Sequence, residues 1–255
     1  CWEQGINLTV LGENVKWEGF CTKFDVLLKW LRSATLDDTD IVLFSDGYDT
    51  FCQQSAAQLQ ICVDSMPKDK LIVSAEYYLW PPQVFHLKSI FQDRAPVGSR
   101  HIFPCSGQYC GSVKVLKDCI DLNLCKAHKD DQAAIVLFCA ANPEKVVLDY
   151  RLQLFHPNIL ALKNHSSAYD GNIVKEWGVD PSVVLTRGRG SVPLIRLKSS
   201  STSACFVHAN GAPQSQFMDL INGVQGIRTG GGWRWLGLVC FAILLATLIF
   251  GFFCS

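Results

Sequence analysis

Apolar residues along the chain fall into short unbroken runs separated by segments with helical spacing. Residues 7–11 (NLTVL) read as a buried strand closed by Gly12. Over 24–31 (FDVLLKWL), Phe24, Leu27, Leu28 and Leu31 share one helical face. The run 40–44 (DIVLF) predicts a central parallel strand that opens into polar Ser45, Asp46 and Gly47. Residues 55–63 predict a helix and 71–74 (LIVS) another buried strand. The apolar run 133–139 fits helix or strand, and 205–207 (CFV) is a late strand running into His208. Strands alternating with helical segments predict an α/β, Rossmann-like fold, with a mainly parallel sheet covered by helices on both faces. Ligands of such sheets gather at the carboxyl ends of the strands. Asp46, Asp49, Glu76 and His208 all follow strands in this reading.

The pattern changes at the end of the chain. Residues 214–232, rich in Gly, Gln and Asn, read as a linker between a domain at 1–213 and an apolar segment at 233–253. Residues 236–253 carry no charge and reach about 27 Å as a helix, near the lower limit for crossing a bilayer. Trp233 and Trp235 flank Arg234 where interfacial anchors belong. The expectation is a membrane-anchored protein. The arginines at 228 and 234 favour a cytosolic, tail-anchored orientation. Two sequons, at Asn7 and Asn164, and 12 cysteines favour the lumen of the endoplasmic reticulum or secretory pathway. A lipid-anchor signal at Asn222-Gly223 is the third option. The lumenal placement is preferred. The start at Cys1, with neither Met nor signal peptide, reads as a processed product, a polyprotein segment or an excised piece.

Composition narrows the chemistry. Lys+Arg and Asp+Glu both total 23, so net charge points to no nucleic-acid partner. Cys105 with Cys110 and Cys119 with Cys125 are spaced loosely for zinc, and disulfides or buried thiols fit them better. Walker, GxGxxG, GxSxG and HExxH motifs are absent from the sequence. Asp46-Gly47-Tyr48-Asp49 sets two carboxylates three residues apart, which repel unless a cation lies between them. Mg²⁺ and Mn²⁺ suit such oxygens. The plainer alternative is an Asp-Gly turn with Asp49 as a helix N-cap. His208 can complete a metal's coordination, and Asn210 can bond a phosphate or sugar. Asp130-Asp131-Gln132 is either a helix start or a set of sugar-hydroxyl acceptors. Ser106 and Gly107, with Gly111, read as a loop approaching a sugar or as an ordinary turn.

Taken in order, these pieces resemble the glycosyltransferase domain of the procollagen lysyl hydroxylases and the related collagen-type galactosyltransferases. The resemblance runs through residues 7–17, Lys23 with 27–31, 44–49 (FSDGYD), 74–81 (SAEYYLWP), 105–111 (CSGQYCG), 130–132, 148–155 and 207–213 (VHANGAP). It implies a GT-A-like fold lacking the family's first strand–helix unit, followed here by a C-terminal transmembrane helix. It also implies transfer of glucose or galactose from a UDP-sugar to a hydroxyl-bearing glycan or protein acceptor. Asp46, Asp49 and His208 would bind Mn²⁺ or Mg²⁺. Lys23, Asn210 and Gly211 would contact the donor, and Asp130 and Asp131 would face the sugar or acceptor. The family's Asn-Ser-Gly-Gly loop appears with Cys105 and Gln108 at its first and last positions. With the shortened start, those changes support the rival expectation of an inactive glycosyltransferase-fold membrane glycoprotein serving as a binding module.

Overall fold

The structure is a computed structural model. It describes residues 5–6, 8–47, 49–157, 160–162, 177–179, 183–187, 193–197 and 203–210. The linker, the apolar segment 233–253, both sequon asparagines and Gly211 lie outside the described residues. Among the described residues, no helix is long and apolar enough to cross a membrane.

Helix α1 (Cys21–Ser33) buries Lys23, Phe24, Leu27, Leu28 and Leu31, the predicted apolar face with one lysine added to it. Strand β1 (Ile41–Ser45) follows, then short β2 (Thr50–Cys52) and α2 (Ala56–Asp64), capped by Ser55. Strand β3 (Leu71–Glu76) leads through a 3₁₀ turn to α3 (Lys88–Arg94). Next come β4 (Phe103–Ser112), α4 (Val113–Cys119), α5 (Leu122–His128) and α6 (Asp131–Ala141). The run 133–139 is therefore helix. Strands β5 (Val146–Leu148), β6 (Phe155–His156) and, late in the chain, β11 (Phe206–His208) complete the body around the site. Between them lie two antiparallel strand pairs, β7 (Leu160–Leu162) with β8 (Trp177–Val179) and β9 (Val183–Arg187) with β10 (Pro193–Leu197).

The main sheet has the order β1-β4-β3-β5. It is mixed rather than mainly parallel, because β4 runs antiparallel to both β1 and β3 and only β3–β5 is parallel. Consequently β1 is an edge strand of this sheet, not the central one. Alternation along the strands sorts two cores. Val42, Phe44, Leu71, Val73, Ala75 and Tyr109 face the cluster built with α1, α4, α5 and α6. Leu43, Ile72 and Cys110 face a second cluster with Leu59, Val63, Phe155 and Phe206. That second face is covered by α2 and a small sheet of order β2-β11-β6. Residues 8–11 form no strand, so the predicted first strand is absent from the described part of that segment.

Strand β4 overturns the loop reading of Ser106, Gly107 and Gly111: all three lie within it, and the whole strand is buried. Its register against β3 jumps between Val73 and Ser74, pairing Val73 with Tyr109 but Ser74 with Cys105. Residues 106–108 therefore bulge from the ladder, a device that re-aims a strand locally.

Candidate functional site

The bulge is held from both sides. Asp46 donates its backbone N–H to the Gly107 carbonyl at 2.7 Å. Gln132, in the first turn of α6, accepts from Ser106 N at 2.6 Å and donates to the Pro104 carbonyl at 2.6 Å. Beneath the Asp46–Asp49 turn runs a polar chain from the same strand. Gln108 Nε2 donates to Ser45 Oγ at 3.1 Å, Ser45 Oγ donates to Thr50 Oγ1 at 3.2 Å, and Thr50 Oγ1 donates to the Asp46 carbonyl at 2.6 Å. Asp49 is followed by β2, so the helix N-cap reading of that residue fails.

These supports bring together the residues singled out from the sequence. His208 pairs with Thr50 across the β11–β2 ladder, and Ala209 N donates to the Asp49 carbonyl at 2.8 Å. His208 Nε2 thereby sits 3.2 Å from Asp49 Oδ2. Lys23, projecting from the buried face of α1, places Nζ 2.9 Å from Asp46 and 3.2 Å from Asp131. A Cβ on Gly107 would lie 2.3 Å from His208 Cε1, 2.9 Å from its Nδ1 and 3.1 Å from Asp46 Oδ2. The glycine is thus what lets the imidazole and the Asp46 carboxylate approach one another. Asn210 donates to Glu76 Oε2 at 2.9 Å, while Gln132 donates to Glu76 Oε1 at 2.8 Å. Asp130 lies apart from the ion-pair contacts as the N-cap of α6, accepting from Ala133 N at 2.8 Å.

The electrostatics follow from burial. Burial pushes the Asp46 carboxyl up against the opposing pull of Lys23 and then His208. Burial acts the same way on Asp49, but His208 beside it holds that carboxyl below its ordinary value. Burial opposes the charge on Lys23, yet Asp46 and Asp131 together keep its ammonium above the usual lysine range. Asp46 and Asp131 share the Lys23 ammonium while Asp49 is paired with His208, so carboxylates outnumber lysine here and a further cation is favoured. His208 Nδ1 is buried without a hydrogen-bond partner, which is how an imidazole lone pair reserved for another ligand presents itself. Two carboxylates and an imidazole suit Mn²⁺ or Mg²⁺ in kind. Among the described residues no three such side chains already close on one point; Asp46 is turned to Lys23 and Asp49 to His208.

Lys23, Glu76, Gln132, Gly107 and Asn210 thus surround the paired aspartates and the histidine. The PLOD GT domain model, that of the procollagen lysyl hydroxylase glycosyltransferase domain, matches residues 2–229. The chain belongs to this family. No curated protein matches it. Membership makes it a glycosyltransferase domain, and its mixed α/β body is compatible with a GT-A-like fold. Within this glycosyltransferase domain, sequence reasoning missed Gln132 as the clamp of the bulge and Gln108 as a prop beneath the metal-type turn. A lysine on an otherwise apolar helical face was the available signal for the buried role of Lys23. Asp149 was also undervalued: buried after β5, it accepts from Gln153, Leu154 and Phe155 N–H groups at 3.0, 2.7 and 3.0 Å. Those bonds shape the turn into β6, which pairs in parallel with the strand bearing His208.

Proposed function

We propose that this domain transfers a hexose from a UDP-sugar to a hydroxyl-bearing glycan or protein acceptor, with a divalent cation held by Asp46, Asp49 and His208. The observation that carries this reading is the convergence on Gly107 of His208 Nδ1 and Asp46 Oδ2, with Asp49 hydrogen-bonded to the same imidazole. A bound Mn²⁺ or Mg²⁺ would neutralise the diphosphate where charge develops as it leaves. In the transfer the acceptor oxygen bonds to the anomeric carbon, the bond from that carbon to the diphosphate breaks, and the hydroxyl proton passes to a base. Lys23 anchors Asp46 and Asp131 and adds a positive charge beside the donor's phosphates. Asn210, positioned by Glu76, faces the ribose or phosphate side. Half-buried Asp130 is the carboxylate assigned to a sugar or acceptor hydroxyl, since Asp131 is committed to Lys23. The Cys21–Cys125 disulfide supports placement in an oxidising lumen. The membrane attachment rests on the apolar run 236–253.

The test is release of UDP from a panel of UDP-sugars with Mn²⁺, comparing wild type with Asp49→Ala. Wild type should turn over at least one donor, and the variant should lose about 100-fold or more. If neither protein releases UDP, or both release it equally, the catalytic reading is lost.

A further inference from the structure

Asp46 stands between two partners that cannot both have it. Its Oδ2 lies 3.1 Å, and His208 Nδ1 2.9 Å, from the position a Cβ on Gly107 would take, so carboxylate oxygen and imidazole nitrogen flank one point. That same Oδ2 accepts a hydrogen bond from Lys23 Nζ at 2.9 Å, and Oδ1 lies 2.9 Å from the same nitrogen. The ammonium therefore faces both oxygens of the carboxylate. Lys23 is also the more buried partner, its side chain 8% exposed against 20% for Asp46. Asp131, 4% exposed, holds the same ammonium at 3.2 Å. Helix α1, which carries Lys23, is bonded to α5 through Cys21 and Cys125. The ammonium thus leaves Asp46 by turning its own four-carbon stem and not by a shift of the helix. Asp49 is 27% exposed and pairs with His208 rather than with a lysine, so Asp46 is the carboxylate that limits the set.

We propose, on the transferase reading of this domain, that Lys23 is a resident substitute for the divalent cation at Asp46. The diphosphate of the nucleotide sugar releases it, so that cation and donor bind together and neither binds well alone. The two cations compete for one carboxylate. Giving Asp46 to a dication leaves a buried ammonium beside it, and like charges a few ångströms apart repel. Affinity for the cation alone is accordingly reduced to the fraction of molecules in which Asp46 is free. A diphosphate changes the balance, because its anionic oxygens accept the ammonium that Asp46 gives up. Lys23 then exchanges one anion for another and is never left unpaired, with Asp131 as its constant partner. Linkage makes the effect reciprocal: the factor by which diphosphate tightens the cation is the factor by which the cation tightens diphosphate. A lysine that merely supported Asp46 would act with the opposite sign, since its removal would loosen the carboxylate and weaken the cation.

The test is binding of Mn²⁺ to the full chain, followed by the electron paramagnetic resonance signal of free Mn²⁺, with and without UDP and corrected for Mn²⁺ held by UDP itself. In wild type, saturating UDP should tighten Mn²⁺ by about 10-fold or more. The deciding variant is Lys23→Met combined with Asp131→Leu, which removes one cation and one anion and leaves the net charge around Asp46 unchanged. It should bind Mn²⁺ alone about 10-fold more tightly than wild type, and UDP should add less to it. Lys23→Gln, whose amide carries no charge, should shift in the same direction and gives the comparison if the double variant does not fold. A folded variant that binds Mn²⁺ alone no more tightly than wild type overturns the proposal. So does a wild type that binds Mn²⁺ equally with and without UDP. Either result leaves the transferase reading standing. Failure of every protein to bind Mn²⁺, with or without UDP, removes that reading and this one together.

Discussion

Gly107→Ala is the sharpest perturbation of the candidate site, because it adds one methyl group and no charge. Carbon atoms in ordinary contact stand about 3.5–4.0 Å apart. The new Cβ would meet His208 Cε1 at 2.3 Å and Nδ1 at 2.9 Å, so imidazole or strand must yield by more than about 1 Å. The strand is poorly placed to give, since Gly107 O accepts from Asp46 N and Ser106 N is clamped by Gln132. The imidazole must therefore turn away from Asp49, and metal ligation tolerates only about 0.2 Å of displacement. A misplacement near 1 Å costs on the order of 100-fold in rate. Overpacking adds about 1–3 kcal/mol of instability. The assay is Mn²⁺-dependent UDP release, run beside the Mn²⁺-induced broadening of the His208 ring-proton NMR signal and a thermal melt. Gly111→Ala is the control: its Cβ would press on Val115 Cγ1 at 3.1 Å, away from the paired aspartates, and should lower Tm without a comparable loss of turnover. If Gly107→Ala kept turnover and NMR response within roughly twofold of wild type while folded, the packing argument for the site would be refuted.

Three further changes probe the supports. Lys23→Met leaves Asp46 and Asp131 buried without their shared cation and should cost about 3–5 kcal/mol in urea unfolding; adding Asp131→Leu should recover part of that loss. Simple additivity of the two substitutions would count against the ion pair. Gln132→Leu strands Ser106 N and removes one bond each to the Pro104 carbonyl and Glu76, and should destabilise by about 2–4 kcal/mol in the same measurement. A loss under about 1 kcal/mol would show that the bulge holds itself. Asp149→Asn sets an amide against N–H donors and should cost about 1–3 kcal/mol, with faster amide exchange over Phe155–His156; unchanged exchange would show that the carboxylate does not shape that turn.

What the sequence announced was whatever local pattern could carry. The face of α1, the buried runs of β1 and β3 and the Asp130 cap are all local, and all were legible. Strand β4 was not, because Cys, Ser, Gly and Gln over 105–108 look like turn chemistry, and only burial between β1 and β3 makes them strand. The mixed sheet escaped for the same reason: without β4, β1 and β3 look like parallel neighbours. Strands β2 and β6 have only two or three residues each, too few for alternation to register, whereas equally short β11 was legible as the apolar run 205–207. Asp46, Asp49 and His208 could be picked from strand ends, but their approach to one another depends on pairing across some 150 residues, which spacing does not encode. The cysteine spacings supported disulfides or buried thiols over zinc, and so it stands, but they did not show the partner: Cys125 is bonded to Cys21, while Cys105, Cys110 and Cys119 stay as buried thiols.

The Cys21–Cys125 bridge acts on more than the two helices it joins. Lys23 follows one of its cysteines by two residues and Asp131 follows the other by six, so the bond cuts the covalent path between ammonium and carboxylate from roughly 110 residues to roughly 8. By the logarithmic dependence of closure on chain length, that tether raises their effective concentration by an amount equivalent to about 2 kcal/mol. The unfolded oxidised chain thus already holds Lys23 near Asp131, and folding need only bring Asp46 to a pair whose encounter has been made intramolecular at short range.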